Sequence, residues 1–239
     1  MSGNVHETTV ERVTSLARGV VEWRFRLEPP EPLAFRPGQF VSVRVGEDAA
    51  GAAILRSYSI ASSPGQPWFA LILKLVPGGV ASSWFERLQP GARVRFTGPM
   101  GFFVLDLQHP GDVVLGVTGV GITPALPMLR ELLARPEPGK VRLYWGNRDA
   151  EDLFWQAELD ELQRTHPRFE VRYFLSGPAP SWSGLRGRIT PAVLADLAAF
   201  RQPVFYLVGN GAMIRELKAG LVERGVDRKK QVRNEAFFE

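Results

Sequence analysis

Downstream of His109-Pro110-Gly111-Asp112 the chain changes grammar, and this change limits its fold more than any other feature. VVLGV (113–117) is a continuous apolar run, the composition of a strand buried on both faces of a parallel sheet. KVRLYWG, FEVRYFLS and PVFYLVG repeat that signal, and AEDLFWQAELDEL, TPAVLADLAAF and GAMIRELKAGLVERG read as the helices between and after them. The helix following VVLGV is expected to use Thr123 as its N-cap, with Pro124 at the first helical position. Strand–helix alternation at this spacing specifies a doubly wound α/β fold around a parallel sheet.

Upstream, no such alternation exists. Thr8–Leu16, Val20–Leu27, Gln39–Val45, Leu55–Ala61, Trp68–Val76 and Ala92–Thr97 are short segments rich in β-branched and aromatic residues. Breaks containing Pro and Gly fall between several of them, and one helix-compatible stretch, Val80–Leu88, interrupts the series. Six strands and a short helix suggest an antiparallel β-barrel, closed or nearly so. The expected organisation is therefore a barrel domain over 1–108 and an α/β domain over 109–239.

Composition excludes several classes of function. The chain has no cysteine, so thiolate zinc sites and cysteine-ligated iron–sulfur clusters cannot lie within it. Its three histidines are scattered without ligand spacing, no metal site is expected, and no G-x-S-x-G nucleophile elbow occurs. The net charge of +4 is spread evenly: 11 Lys and Arg face 9 Asp and Glu up to Gly111, and 18 face 16 beyond it. Nucleic-acid binding would call for clustering, so none is expected; a mildly basic surface better suits an acidic protein or a phosphorylated cofactor. No apolar run is long enough to span a bilayer, and MSGNVHETTVERV lacks a signal-peptide layout, so a cytoplasmic protein is expected.

Three glycine-containing turns carry the chemistry. GVTGVGITP (116–124) joins the first apolar strand to its helix, where Gly119 and Gly121 let backbone approach a ligand and helix amides face a pyrophosphate. VGNGAMI (208–214) repeats the arrangement with Gly209 and Asn210 after the last apolar strand, and open α/β sheets bind ligands beyond such strand ends. The third turn, VPGGVASSWF (76–85), lies in the barrel half. Amides of Val80, Ala81 and Ser82 at a helix start, with the Ser82 hydroxyl, can cradle a second diphosphate, which implies a second nucleotide.

That second nucleotide explains an irregular strand, LRSYSIASSP (55–64), whose polar residues break the expected alternation. Arg56 supplies a fixed cation capable of bidentate phosphate contacts, Tyr58 a flat face for an aromatic ring, and Ser59 a hydroxyl at that ring's edge.

Taken in order, FRPGQFV, RSYSIAS, KLVPGGVASSWF, GPMGFF, GVTGVGITP and VGNGAMI resemble the ferredoxin–NADP reductase family of flavoproteins over essentially the whole chain. The resemblance implies an FAD-binding barrel followed by an NAD(P)-binding α/β domain whose C-terminal tail returns to the flavin. It implies that Arg56 holds the FAD diphosphate together with Val80, Ala81 and Ser82. Tyr58 would pack on the isoalloxazine, Ser59 would hydrogen-bond near its N5, and Thr118 would sit by the nicotinamide. Within the terminal RNEAFFE, Glu235 would supply protons near N5 and Phe237 or Phe238 would cover the flavin or the nicotinamide pocket.

Two departures from the family pattern stand out. Val208 occupies the place of the family's common cysteine beside the nicotinamide, and Gly177 stands where some NADP-using members carry arginine. Arg148 and Arg188 are nevertheless expected to face a 2′-phosphate, so NADPH is favoured, with NADH as the alternative. The expected activity is hydride transfer between NAD(P)H and FAD, with electrons passed singly to or from a ferredoxin or flavodoxin. A reductase serving an oxygenase, free flavin or ferric chelates is the second reading, and a nucleotide-binding regulatory module without turnover is the third.

Overall fold

The computed structural model describes residues 4–29, 31–136 and 139–238. The chain divides into two units, Met1–Leu105 with Leu126–Met128, and Asp106–Ala125 with Leu129–Glu239.

The first unit is a six-stranded antiparallel sheet built from β1 (Asn4–Ala17), β2 (Val20–Glu28), β3 (Phe40–Glu47), β4 (Ala53–Ser59), β5 (Trp68–Lys74) and β6 (Arg93–Met100). Its order is β4-β3-β6-β1-β2-β5. The two end strands are joined by an antiparallel bridge between Ile60 and Leu71, and Ala61 N–H donates to the Ala70 carbonyl at 2.9 Å. The sheet thus meets itself, as the strand-and-turn pattern requires. Strand β2 shows how: Trp23, Phe25 and Leu27 are buried, whereas Arg26 and Glu28 face outward. Phe25, Phe69 and Phe96 meet in the core at centroid separations of 4.7 to 5.5 Å. The helix α1 (Val80–Glu86) covers one part of this core through buried Phe85, which lies 4.9 Å from Trp23 and 5.0 Å from Tyr58.

The second unit contains β7 (Val113–Thr118), β8 (Val141–Asn147), β9 (Phe169–Leu175), β10 (Leu185–Arg186), β11 (Val204–Asn210) and β12 (Val232–Phe238). All pair in parallel, in the order β10-β9-β8-β7-β11-β12. Connections run outward from β7 in one direction and then reverse, which puts the topological switch between β7 and β11. Buried Asp112 fixes the opposite ends of these strands: one carboxylate oxygen accepts from Lys140 N at 2.8 Å and the other from Arg201 N at 2.7 Å. With three strand starts tied together, their carboxyl ends emerge in register.

The helices of this unit are α2 (Ile122–Leu133), α3 (Gln156–Thr165), α4 (Ile189–Ala195), α5 (Gly211–Glu223) and α6 (Arg228–Gln231). Two begin elsewhere than their sequence suggests. Gly121, not Thr123, caps α2, because a 3₁₀ turn over Gly119–Gly121 already starts the winding. Thr123 lies inside the helix and its hydroxyl donates back to the Val120 carbonyl at 2.6 Å. The segment AEDLFWQAELDEL is broken as well: a 3₁₀ turn covers Ala150–Asp152, Leu153 leaves helical geometry with ψ 51, and α3 begins only at Gln156. Phe154 there turns inward to meet Trp145 edge-on at 5.4 Å, and a continuous helix would forgo that contact.

Candidate functional site

On the barrel, the cluster expected from RSYS lies along β4 and α1. Arg56 and Ser57 face outward, Tyr58 is half-buried and Ser59 is buried. Among the described residues the Arg56 guanidinium makes one hydrogen bond, Nη1 to the Leu55 carbonyl at 2.9 Å, and the side chain is exposed. Tyr58 stands edge-on against Phe85 of α1, which links the two elements directly. Burial pushes the Tyr58 phenol up to about 12, partly opposed by the Arg56 charge, so the ring stays neutral at physiological pH.

The start of α1 offers donors of its own. Its N-cap, Gly79, is extended and offers no side-chain acceptor, so the first-turn amides of Val80, Ala81 and Ser82 have no partner within the helix. Ser82 Oγ accepts from Val76 N at 2.8 Å, which ties the VPGG turn down while leaving the hydroxyl proton to donate. Amides without helix partners, a hydroxyl and, on β4, a guanidinium beside a neutral aromatic ring are the donor set that a diphosphate attached to a ring system requires, so the residues fit FAD.

In the second unit, the two glycine turns meet at the switch point. Val208 pairs with Val117, so the turns after β7 and β11 lie side by side. Thr118 welds them: its Oγ1 accepts from Asn210 N at 2.8 Å. Asn210 Oδ1 in turn accepts from Met213 N at 3.1 Å and caps α5. Gly209 adopts φ +119, and a Cβ there would lie 2.3 Å from Thr118 Oγ1 and 2.7 Å from the Thr118 carbonyl oxygen. No other residue fits. Gly119 opens the 3₁₀ turn, its carbonyl accepts from Trp145 Nε1 at 3.0 Å, and nothing lies within 4 Å of the place a Cβ would take. Gly121, expected to let backbone approach a ligand, is instead buried against β11, where a Cβ would lie 2.7 Å from the Val208 carbonyl oxygen. A rigid pair of turns with open space at Gly119 fits a pyrophosphate.

The remaining expected residues are dispersed along the same sheet. Arg148 is exposed immediately after β8. Arg188 precedes α4 and is ion-paired with Glu216 of α5 at 3.0 Å. Glu235 and Phe237 lie on β12, where Glu235 pairs in register with Val208 and a register shift follows Gly209. The side chain of Phe238 lies outside the described residues. Sequence reasoning missed Trp145, Glu216 and Asn147. Asn147 is the most unusual: it is only 6% exposed, and neither its side-chain nitrogen nor its oxygen has a hydrogen-bond partner among the described residues. The available signal was a polar residue ending the apolar strand VRLYWGN.

Comparison with known proteins assigns both units. A family model described as an oxidoreductase FAD-binding domain matches residues 7–105, and one described as an oxidoreductase NAD-binding domain matches 117–219. The chain is 34% identical over 233 residues to ferredoxin–NADP reductase B of Sorangium cellulosum, covering 93% of this chain and 94% of the relative. The chain belongs to the ferredoxin–NADP reductase family. It is an oxidoreductase of that family, with one FAD-binding and one NAD-binding domain. It is also 30% identical to the ferredoxin–NAD(P)+ reductase component of the naphthalene 1,2-dioxygenase and salicylate 5-hydroxylase systems of Ralstonia sp., covering 85% of this chain and 61% of that one. Among solved structures, the cytochrome P450 reductase GcoB of Amycolatopsis superposes with a TM-score of 0.86 at 31% identity, over 99% of this chain and 70% of that one. Among the described residues no helix is long and apolar enough to cross a membrane.

Proposed function

We propose that this protein is a cytoplasmic reductase that takes a hydride from NADPH, with NADH as the alternative donor, onto FAD and delivers the electrons singly to a ferredoxin or flavodoxin. The observation that carries this reading is the presence of two phosphate-receptive clusters in one chain, one in each unit, each within a segment matched by a nucleotide-binding family model. FAD, when bound, supplies the exchange between a two-electron donor and a one-electron acceptor.

The protein's residues do the rest. Arg56 and the amides of Val80, Ala81 and Ser82 hold the diphosphate, and the Tyr58 ring packs on the isoalloxazine. The Ser59 hydroxyl holds a proton at the ring's edge, and Glu235 exchanges protons there, with Phe237 covering the ring. Thr118, Gly119 and Gly121 with Gly209 and Asn210 receive the nicotinamide half and its pyrophosphate; Arg148 and Arg188 take the 2′-phosphate. The net charge of +4 suits an acidic electron carrier. A second reading, service to an oxygenase, is favoured by the Ralstonia relative, which is itself a reductase component.

Anaerobic titration of the purified protein with NADPH and NADH, followed by the bleaching of its flavin band, tests the first half-reaction. Reduction of ferredoxin, flavodoxin and ferricyanide in steady state tests the second. Bleaching with transfer to ferredoxin or flavodoxin supports the proposal. A flavin that bleaches without transferring to either carrier favours another acceptor, and a protein that takes up flavin but is not reduced by either nicotinamide is a regulatory module.

A further inference from the structure

The carboxyl edge of the parallel sheet contains a charge arrangement that bears on which dinucleotide is accepted. Strands β8, β9 and β10 are consecutive neighbours in the sheet and parallel. Arg148 directly follows β8, and Arg188 stands two residues beyond the end of β10. Their backbones therefore leave the same edge, two strand spacings or about 10 Å apart, which lets two long side chains converge on one phosphate. The two arginines differ in what already holds them. Arg148 has no ion pair or side-chain hydrogen bond among the described residues, whereas Arg188 Nη1 donates to Glu216 Oε1 at 3.0 Å. The other Glu216 oxygen accepts from Thr190 Oγ1 at 3.4 Å. One carboxylate thus takes a guanidinium and a hydroxyl from the start of α4, as a phosphate would.

We infer that Glu216 is a specificity-determining residue: its carboxylate occupies Arg188 in place of a 2′-phosphate and so narrows the advantage of NADPH over NADH. The inference rests on the proposed role of Arg148 and Arg188 as receivers of the 2′-phosphate. A 2′-phosphate carries close to two negative charges at neutral pH, and to reach Arg188 it displaces Glu216 and then sits beside the freed carboxylate. Asp149, next to Arg148, adds a second negative charge, so the two arginines are matched by two acids. Nor can the neighbouring turn supply a third cation. A Cβ at Gly177 would stand 2.6 Å from the Arg148 carbonyl oxygen and 3.1 Å from Asp149 Oδ1, so the position has no room for a side chain. NADH, lacking the phosphate, meets no such penalty. The pair is well exposed, at 70% for Arg188 and 45% for Glu216, so its displacement shifts affinity modestly and the shift weakens with salt.

The test measures binding to the purified, flavin-loaded protein by calorimetry, using adenosine 2′,5′-bisphosphate and 5′-AMP as probes. Glu216→Gln should tighten the bisphosphate relative to 5′-AMP by about three- to fivefold, an effect that fades at high salt, with the KM ratio for NADPH over NADH falling in parallel. Glu216→Ala should do the same. Arg188→Ala should weaken the bisphosphate and abolish the response to Glu216→Gln. If Arg188→Ala weakens the bisphosphate but Glu216→Gln changes nothing, or moves both probes equally, the inference is overturned and the proposed site stands. If Arg188→Ala leaves the bisphosphate unaffected, both fall.

Discussion

In the function proposed above, the two units hold a charged diphosphate by different means. On the barrel the proposed cluster adds a side chain on a strand to the first-turn amides of α1: Arg56 projects into solvent, and removing it would leave the backbone of β4 as it is. In the α/β unit the cluster is formed by the backbone itself, two turns pressed together so closely that Gly209 admits no Cβ and Thr118 bonds across to Asn210. If the proposed sites hold, the contrast teaches that binding and folding are separable in the first unit and fused in the second. A substitution can remove the barrel's ligand contacts one at a time, whereas at the switch point the same atoms set the register of β7 against β11.

The sharpest way to break this contrast is Gly209→Ala. A methyl group overlapping Thr118 Oγ1 and its carbonyl, at a φ that alanine avoids, should cost about 3–5 kcal/mol. Urea unfolding followed by circular dichroism should show the midpoint of the α/β unit falling, with dinucleotide affinity lost alongside. A variant that keeps its midpoint but loses affinity would show that the turn serves ligand alone. The counterpart is Arg56→Ala, next in size. Stability should stay within about 0.5 kcal/mol of the parent, while loss of charge-assisted bonds to a phosphate should weaken FAD about 10- to 100-fold. Titration of the apoprotein with FAD, read by fluorescence, measures it. Equal losses of stability and FAD affinity would erase the distinction between the units.

Much of this arrangement could be read from the sequence, for reasons that differ by region. Strand–helix alternation after Asp112 and strand–turn repetition before it reflect periodicities of burial, which a single chain displays openly. RSYS was legible because its run of polar residues breaks the alternation of a half-buried strand, and VPGGVASS, GVTGVG and VGNG because each sets a glycine turn directly before a helix start. Local competition was not legible. Thr123 is a sound N-cap by composition, yet the 3₁₀ turn begun at Gly119 overrides it. The break before Gln156 comes from Phe154 meeting Trp145, a contact with no trace in the helical pattern of AEDLFWQAELDEL. The two-residue strand Leu185–Arg186 is too short to have a period. Glu216 lies 28 residues from Arg188 and becomes its partner only through the packing of α5 beside α4.

Asn147 qualifies the contrast, because it is a place in the α/β unit where a side chain rather than the backbone stands out. Its carbonyl is well used, accepting from Ser176 N at 2.9 Å, so the strand end is held whatever the side chain is. The carboxamide is another matter: both of its polar atoms are buried without partners among the described residues, on a strand whose positions 143 and 145 carry Leu and Trp. Leaving such a group unpaired costs about 1–3 kcal/mol, whereas an apolar group of similar shape costs nothing of the kind. Asn147→Leu should therefore stabilise the α/β unit by about 1–2 kcal/mol, read as a rise in its melting temperature of a few degrees. If the rise comes with weakened dinucleotide binding, the amide is retained for the ligand, and this unit too uses a side chain at a cost in stability. If affinity is untouched, binding at this edge belongs to the backbone and to the arginines beyond it, and the contrast with the barrel is sharpened. A fall in melting temperature would mean that the amide is satisfied in solution, and that its burial stabilises the strand end.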